Sequence, residues 1–441
     1  MRQRREEERS YLAALDAAIS YLYDDLTDEP IRYKMTDKTW SRVSDAFNRA
    51  SAYIHRKGGY KAEYLTDDEV KPLIDETYKA FTEAIDYGLK DNEIPTAMRM
   101  YLQDNVFVFS GFKAHTELWQ ASALLRDESG QIKPFNRFLT DIQKIDKTYN
   151  KTYLQAEYNF AVASSQAAAR WQEISEGGDD FLLQYRTAKD ERVREQHRIL
   201  DGITLPPSDK FWDEFFPPNG WNCRCTAVQV NPRRYPESDP EEALQRGRSA
   251  TYQPNAKGQN KAQIFRFNPG KEKKVFPPKH PYYPKGCGNC QFRKFSANED
   301  STSCGVCRFI RRMQLERAKN SFTREFWGRH LTIENSRFFV NKFILTNTSI
   351  KNFCSHAERI YELEALIFAM EHPEALEFAR VEEIDREEHS DANADGKVNR
   401  NILNYTKYYI NVNGQDYTLS FELHKKGFEQ PYAVRRGRHL E

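Results

Sequence analysis

Cys287, Cys290, Cys304 and Cys307 stand as Cys-x2-Cys-x13-Cys-x2-Cys, each pair set among small residues in "GCGNC" and "SCGVC". Two tight knuckles of this kind bring four thiolates to one point, the ligand set of a structural zinc site with no open position. Zinc held there would staple a small fold rather than carry out a reaction. Redox pairs or an iron–sulfur centre are the alternatives, and no other feature of the chain points to electron transfer. A tighter pair, Cys223 and Cys225, lies earlier in "PPNGWNCRCT". With His197 it supplies three candidate ligands of a second metal site, and Asp201 supplies a fourth. On a strand, alternation would turn both sulfurs to one face. The competing reading makes the sulfurs buried packing groups and the histidine a hydrogen-bonded structural residue. A disulfide between residues two apart on one strand would be strained.

Reduced thiols are expected for a further reason. Seven cysteines is an odd number, and the opening "MRQRREEERS" lacks the apolar centre of an export signal, which favours metal over disulfides. No apolar stretch approaches the roughly 20 residues that cross a bilayer, so a soluble chain made in the cytoplasm is expected. The 66 Lys and Arg almost cancel the 65 Asp and Glu, which excludes a nucleic-acid coat or a polyacidic binder on global charge. Partners have to be argued locally.

The length, 441 residues, fits two or three domains. The class expected is α+β multi-domain. Residues 1–178 read as a long helical half, with Leu12, Leu15, Ile19, Leu22 and Leu26 at helical spacing and a capping-box pattern, "TDDE", at Thr66–Glu69. The 40 residues after Pro134 contain neither proline nor glycine. They predict a long rod or hairpin arm, with an ordinary bundle as the alternative. "SEGGDD" ends the helices, and residues 179–232 change to short strands and turns around an aromatic core of Phe211, Trp212, Phe215, Phe216 and Trp221. Residues 233–285 read as an extended linker or loosely packed strap, whose basic run is a solvated surface or a contact to DNA or another chain. Residues 286–320 hold the four-cysteine knuckle and the basic helix "FIRRMQLERAKN". In 321–441, Ile360, Leu363, Leu366, Ile367 and Met370 share a helical face. Alternating runs on either side of Asn413-Gly414 predict a hairpin, and "QPYAVRR" a third strand, giving helices on an antiparallel sheet.

The stretch Tyr185–Pro232, with "DERVR-x-x-H-x-x-LDG", then "FWD", then "PPNGW-x-CRC", resembles the phage Mu F-like head morphogenesis proteins, the minor capsid family of tailed phages and prophages. The helical half before it is similar to that family's usual layout. The resemblance implies a protein present in a few copies in the virion head, made in the host cytoplasm during assembly. It further implies portal and capsid proteins as partners, and a role in head morphogenesis and in packaging or ejection of DNA.

The last region resembles, in element order, the small nuclease toxin domains fused to Mu F-like proteins, the group related to barnase, EndoU, colicins and RelE. That resemblance implies metal-independent cleavage of an RNA substrate, with an immunity protein as partner. A histidine would take the 2′-hydroxyl proton, and a second histidine, lysine or arginine would protonate the leaving group or steady the charged phosphorane. His356, His389, Lys407 and His424 are the candidates of that type. Each also has a plain role open to it at a helix end, in a loop, on a solvated strand or at the hairpin. "DANADGK" is rejected as a calcium loop, because its carboxylates are too few and no bidentate glutamate follows at the required distance.

Overall fold

The computed structural model describes residues 2–26, 31–177, 180–284, 305–383, 401–412 and 414–438. The chain divides into two compact units, one of Met1–Ile94 with Tyr101–Arg311 and one of Pro95–Met100 with Arg312–Glu441.

The first unit begins with α1 (Arg2–Leu22), α2 (Asp37–Lys57), α3 (Lys71–Gly88), all but the first turn of α4 (Thr96–Ala123), α5 (Phe135–Ile145) and α6 (Leu154–Glu176). Leu12, Leu15, Ile19 and Leu22 are buried as their spacing predicts, while Leu26 is only half-buried. Helix α2 is capped at both ends, by the Thr36 side chain on Thr39 N–H and by Gly58 in the left-handed region at φ 75°. The "TDDE" pattern does not cap. Thr66 closes a 3₁₀ turn over Ala62–Thr66, and α3 starts at Lys71 after Val70. Nor is the stretch after Pro134 a free arm. Helices α5 and α6 are joined by a π-helical segment, Asp146–Tyr153, and bury Phe138, Ile142, Tyr149, Phe160, Trp171 and Ile174 in this unit's interior. Apolar residues on more than one side of α6 need neighbours on more than one side, so the helix lies within the packing.

Residues 180–232 build a three-stranded antiparallel sheet from β1 (Leu182–Arg186), β2 (Thr204–Leu205) and β3 (Thr226–Val230), ordered β2-β1-β3. Two short helices, α7 (Glu195–Arg198) and α8 (Phe211–Phe215), stand between the strands. All five predicted aromatics are buried. The sheet shares its core with α6, since Trp171 and Ile174 pack with Leu183, Tyr185, Leu205, Phe211, Trp212 and Phe216. Fully burying each large apolar side chain contributes roughly 1.5–3 kcal/mol.

Residues 233–284 differ from an extended linker. They hold α9 (Pro240–Ala250) and two short turns of helix, α10 (Lys261–Ile264) and α11 (Pro269–Glu272), and they bury Phe265, Phe267, Val275, Phe276 and Tyr282. Phe276 stacks on Phe109 of α4 at 3.7 Å between ring centroids. The lysines that suggest a linker are exposed or half-buried on a packed strap, while Pro269 and Pro277 are buried in it.

The second unit contains most of α12 (Gly305–Phe326), then β4 (Leu331–Glu334), β5 (Lys342–Leu345), α13 (Asn347–His356), α14 (Ile360–Glu371), β6 (Glu377–Glu383), β7 (Ile402–Val412), β8 (Gln415–His424) and β9 (Phe428–Arg436). The six strands are ordered β4-β5-β9-β8-β7-β6, antiparallel except where β5 meets β9. The predicted hairpin is present, with Val412 opposite Gln415 and Gly414 at φ 80°, and β9 is the predicted third strand. Thr346 and Ser349 form a reciprocal capping box at the start of α13.

Candidate metal centre

Three of the predicted ligands meet. Helix α7 carries His197, and an extended lead-in to β3 carries Cys223 and Cys225; their donor atoms all lie within 4.8 Å of one another. His197 Nδ1 is 3.7 Å from each sulfur. His197 and Cys223 are buried and Cys225 is half-buried. The cysteines precede the strand rather than lie in it, but the alternation argument survives in the extended lead-in. Arg224 points the other way and makes a two-pronged ion pair with Asp190, at 2.6 and 2.8 Å. That hydrogen-bonded pair pulls the Asp190 carboxyl down to about 2.

The turn before the cysteines orients the histidine. Asn219 O lies 3.3 Å from His197 Nε2. A carbonyl can only accept, so Nε2 carries the proton and the Nδ1 lone pair is left for the sulfurs. The Cys223 thiol is held well below its ordinary value by hydrogen bonding with Cys225, against the cost of burial, and by His197 and the Asn219 peptide. Tyr185 donates to Asn219 Oδ1 at 3.0 Å. Burial pushes the Tyr185 phenol well up, and the neighbouring Cys225 and Cys223 add to the shift. Two sulfurs and an imidazole in this arrangement can hold a soft divalent metal.

Asp201 does not join them. Its Oδ1 accepts from Thr187 N at 2.8 Å and Thr187 Oγ1 at 3.0 Å, which holds the turn ahead of Gly202. Asn219 and Tyr185 were not among the expected site residues. Asn219 acts largely through its backbone, which residue type does not report, whereas the "PPNG" turn immediately before the cysteines was a usable signal. Of the four-cysteine cluster, Cys287, Cys290 and Cys304 lie outside the described residues, and Cys307 is buried on α12.

In the second unit, His389 lies outside the described residues; of the other three candidates, His356 is on a helix and Lys407 and His424 are on neighbouring strands. His356 is exposed at the end of α13, its ring 5.3 Å from that of Tyr432. Lys407 is ion-paired with Glu382. His424 Nε2 is 3.6 Å from Glu422 Oε2, and its ring stacks on Phe428. The register sets Glu382, Tyr405 and Glu422 in one cross-strand row and Arg380, Lys407 and Ser420 in the next. Side chains two apart share a face, so Tyr405, Lys407, Glu422 and His424 stand together. Tyr405 and Tyr432 bring their rings to 4.9 Å.

Residues 79–228 match the family described as Phage Mu protein F like protein, a span that holds His197, Cys223 and Cys225. Among curated proteins, the putative capsid assembly protein F of Escherichia phage Mu is 32% identical over 81 residues, which is 18% of this chain and 18% of that protein. An uncharacterized protein of Methanocaldococcus jannaschii is 48% identical over 46 residues, 10% of this chain and 7% of that one. The chain thus covers under a fifth of either relative. No solved structure matches. From α3 to β3, over residues 79–228, the chain is similar to the Phage Mu protein F like family.

Proposed function

We propose that this chain is a minor head protein of a phage or prophage, acting in head morphogenesis, in association with the portal, and in packaging or ejection of DNA. The observation that carries the reading is the match of residues 79–228 to the Mu F-like family, joined by the similarity to a protein named for capsid assembly. The matched span shares its core with α9 beyond it, through Ala243 and Leu244. Portal and capsid proteins are its partners on this reading, and the virion head its destination. Mass spectrometry of purified particles should find the chain at a few copies per head, and its deletion should leave defective heads. Its absence from particles that are intact without it would overturn the reading.

A structural zinc at Cys287, Cys290, Cys304 and Cys307 belongs to the same proposal, supported by their spacing alone. Metal analysis of Cys287→Ser/Cys290→Ser against the parent chain tests it, with loss of one equivalent expected.

A second reading makes the C-terminal unit a delivered ribonuclease, with an immunity protein in the producing cell. It is supported by the sheet face on which Glu422 and His424 stand beside Tyr405 and Lys407. The Glu422–His424 pair would act as acid and base, and Lys407 would face the phosphate. The full chain should cut RNA in the presence of a chelator, and His424→Ala and Glu422→Gln should each stop it. Absence of cleavage, or cleavage that survives both changes, removes this reading and leaves the first intact.

A further inference from the structure

We propose that His197 Nδ1, Cys223 Sγ and Cys225 Sγ hold a zinc ion that clasps the Pro217–Trp221 turn to helix α7, separate from any ion at the four-cysteine cluster. The first argument is metrical. A tetrahedral zinc with bonds of about 2.3 Å to sulfur and about 2.05 Å to nitrogen sets each nitrogen–sulfur edge at about 3.6 Å. Both edges here are 3.7 Å.

The second argument concerns what surrounds the donors. Ligating histidines are commonly fixed by a carbonyl on the far ring nitrogen, and Asn219 O fills that place for His197. The same turn holds Cys223, whose N–H donates to Gly220 O at 3.2 Å, so one turn positions two of the three ligands. Two thiolates balance a divalent charge, which suits a site that buries His197 and Cys223. Thiolate and imidazole donors select zinc over magnesium or calcium. Asn219 Nδ2 is buried with no hydrogen-bond partner among the described residues, an unspent donor on the residue that holds His197. The carboxylate of Asp201 is committed to Thr187, so no acid–base group from that quarter serves the ion and its role is mechanical.

The clasp has something to hold. Trp221, at the end of the turn, stacks on Tyr23 at 4.8 Å and lies 5.1 Å from the rings of both Phe160 and Phe265. Metal on α7 and on the residues just after Trp221 therefore secures the part of the module that enters the helical layer.

The test uses the full chain carrying Cys287→Ser/Cys290→Ser, which removes the other cysteine cluster from the count. Metal analysis should return one zinc per chain. Cobalt in its place should give the charge-transfer intensity of two thiolate bonds, and His197→Gln should weaken binding at least about tenfold. Adding Cys223→Ser/Cys225→Ser should abolish binding. Should that last variant fail to fold, a chelator titration of the parent, followed by thermal unfolding, supplies the same answer as a lowered midpoint restored by zinc. A folded Cys287→Ser/Cys290→Ser chain that takes up no zinc overturns the proposal. So does one whose zinc survives loss of Cys223 and Cys225, or one that carries another metal in stoichiometric amount. None of these outcomes bears on whether the chain is found in phage heads.

Discussion

Trp221 donates its indole N–H to the backbone carbonyl of Leu22 at 3.0 Å, joining the turn before the cysteines to the last residue of α1 across 199 residues of chain. Arg194 reinforces the junction, reaching Asp25 with Nε at 3.2 Å and Trp221 O with Nη2 at 2.8 Å. The end of α1 and the cysteine turn are consequently one piece of structure.

Replacing Trp221 should loosen both sides of that junction together. Trp221→Ala removes a fully buried indole and leaves the Leu22 carbonyl unpaired, so a loss of about 3–5 kcal/mol is expected. Trp221→Phe keeps most of the ring packing and should lose only about 1–2 kcal/mol. Denaturant unfolding followed by far-ultraviolet circular dichroism measures both. Equal effects of the two changes would show that the indole body contributes little.

The strap is held by an approach too close for any side chain. A Cβ added at Gly270 would lie 2.3 Å from Trp171 Cβ and 2.6 Å from its Cγ. Gly270→Ala should therefore push α11 away from α6, at a cost of about 1–3 kcal/mol, and expose residues 251–284 to protease. Limited proteolysis with mass spectrometry checks this, and an unchanged cleavage pattern would contradict it. Gly258→Ala, where the added carbon meets nothing but φ is +73°, should cost about 1 kcal/mol through backbone strain and leave the strap attached.

Glu117 gives the helical unit a pH dependence. Its carboxyl is fully buried and is pushed up to about 7 by desolvation, with Lys113 opposing the shift and the carboxylates of Glu157 and Asp146 adding to it. Because that value lies above the 4.5 of an ordinary glutamate, the folded chain keeps a proton the unfolded chain has lost between the two. The resulting stability is complete below about pH 4.5 and is gone once the pH has risen through about 7. Glu117→Gln should remove this slope, which is at most about 1.4 kcal/mol per pH unit. Five of the six tryptophans, all but Trp327, lie in this unit, so fluorescence-monitored denaturation between pH 4.5 and 8 reports on it. The same slope in the parent and in Glu117→Gln would assign the dependence to another group.

Features with a local signature could be read without coordinates. The spacing of Leu12, Leu15, Ile19 and Leu22, the Asn413-Gly414 hairpin signal and the aromatic cluster from Phe211 to Trp221 each follow from backbone period or turn chemistry within a short window. His197, Cys223 and Cys225 were readable for the same reason, since the first and last are only 28 positions apart. What escaped was non-local. Lys113 and Glu157 form a fully buried ion pair 3.1 Å apart, with Tyr23 donating to the same carboxylate and His280 of the strap bonding Tyr23. Lys113 lies on α4 and Glu157 on α6, so nothing in the local sequence of either names the other. The strap was hidden because a proline-rich basic segment has the same composition whether it lies on a surface or packs into one.

Glu429 organises the C-terminal sheet by a mechanism of that second kind. It is fully buried on β9, where its carboxylate accepts from Tyr408 Oη at 2.8 and 3.1 Å and from the Thr406 hydroxyl, both on β7. Strand β8 lies between β9 and β7, so this carboxylate bridges two strands that are not neighbours. The peptide N–H of Phe339 donates in turn to Tyr408 Oη at 2.6 Å, and burial is what raises the Glu429 pKa. Glu429→Ala strands the hydroxyls of Thr406 and Tyr408, the second of which holds the Phe339 amide, and a loss of about 3–5 kcal/mol is expected. Glu429→Gln keeps one acceptor oxygen but turns its NH₂ toward donors, so an intermediate loss of about 1–3 kcal/mol should follow. Hydrogen exchange of β7 and β9 separates this from a surface effect. Protection should fall on both strands and in residues 338–340, with the alanine variant more affected than the glutamine. A loss confined to β9 would mean that the carboxylate is packed there without tying the strands together.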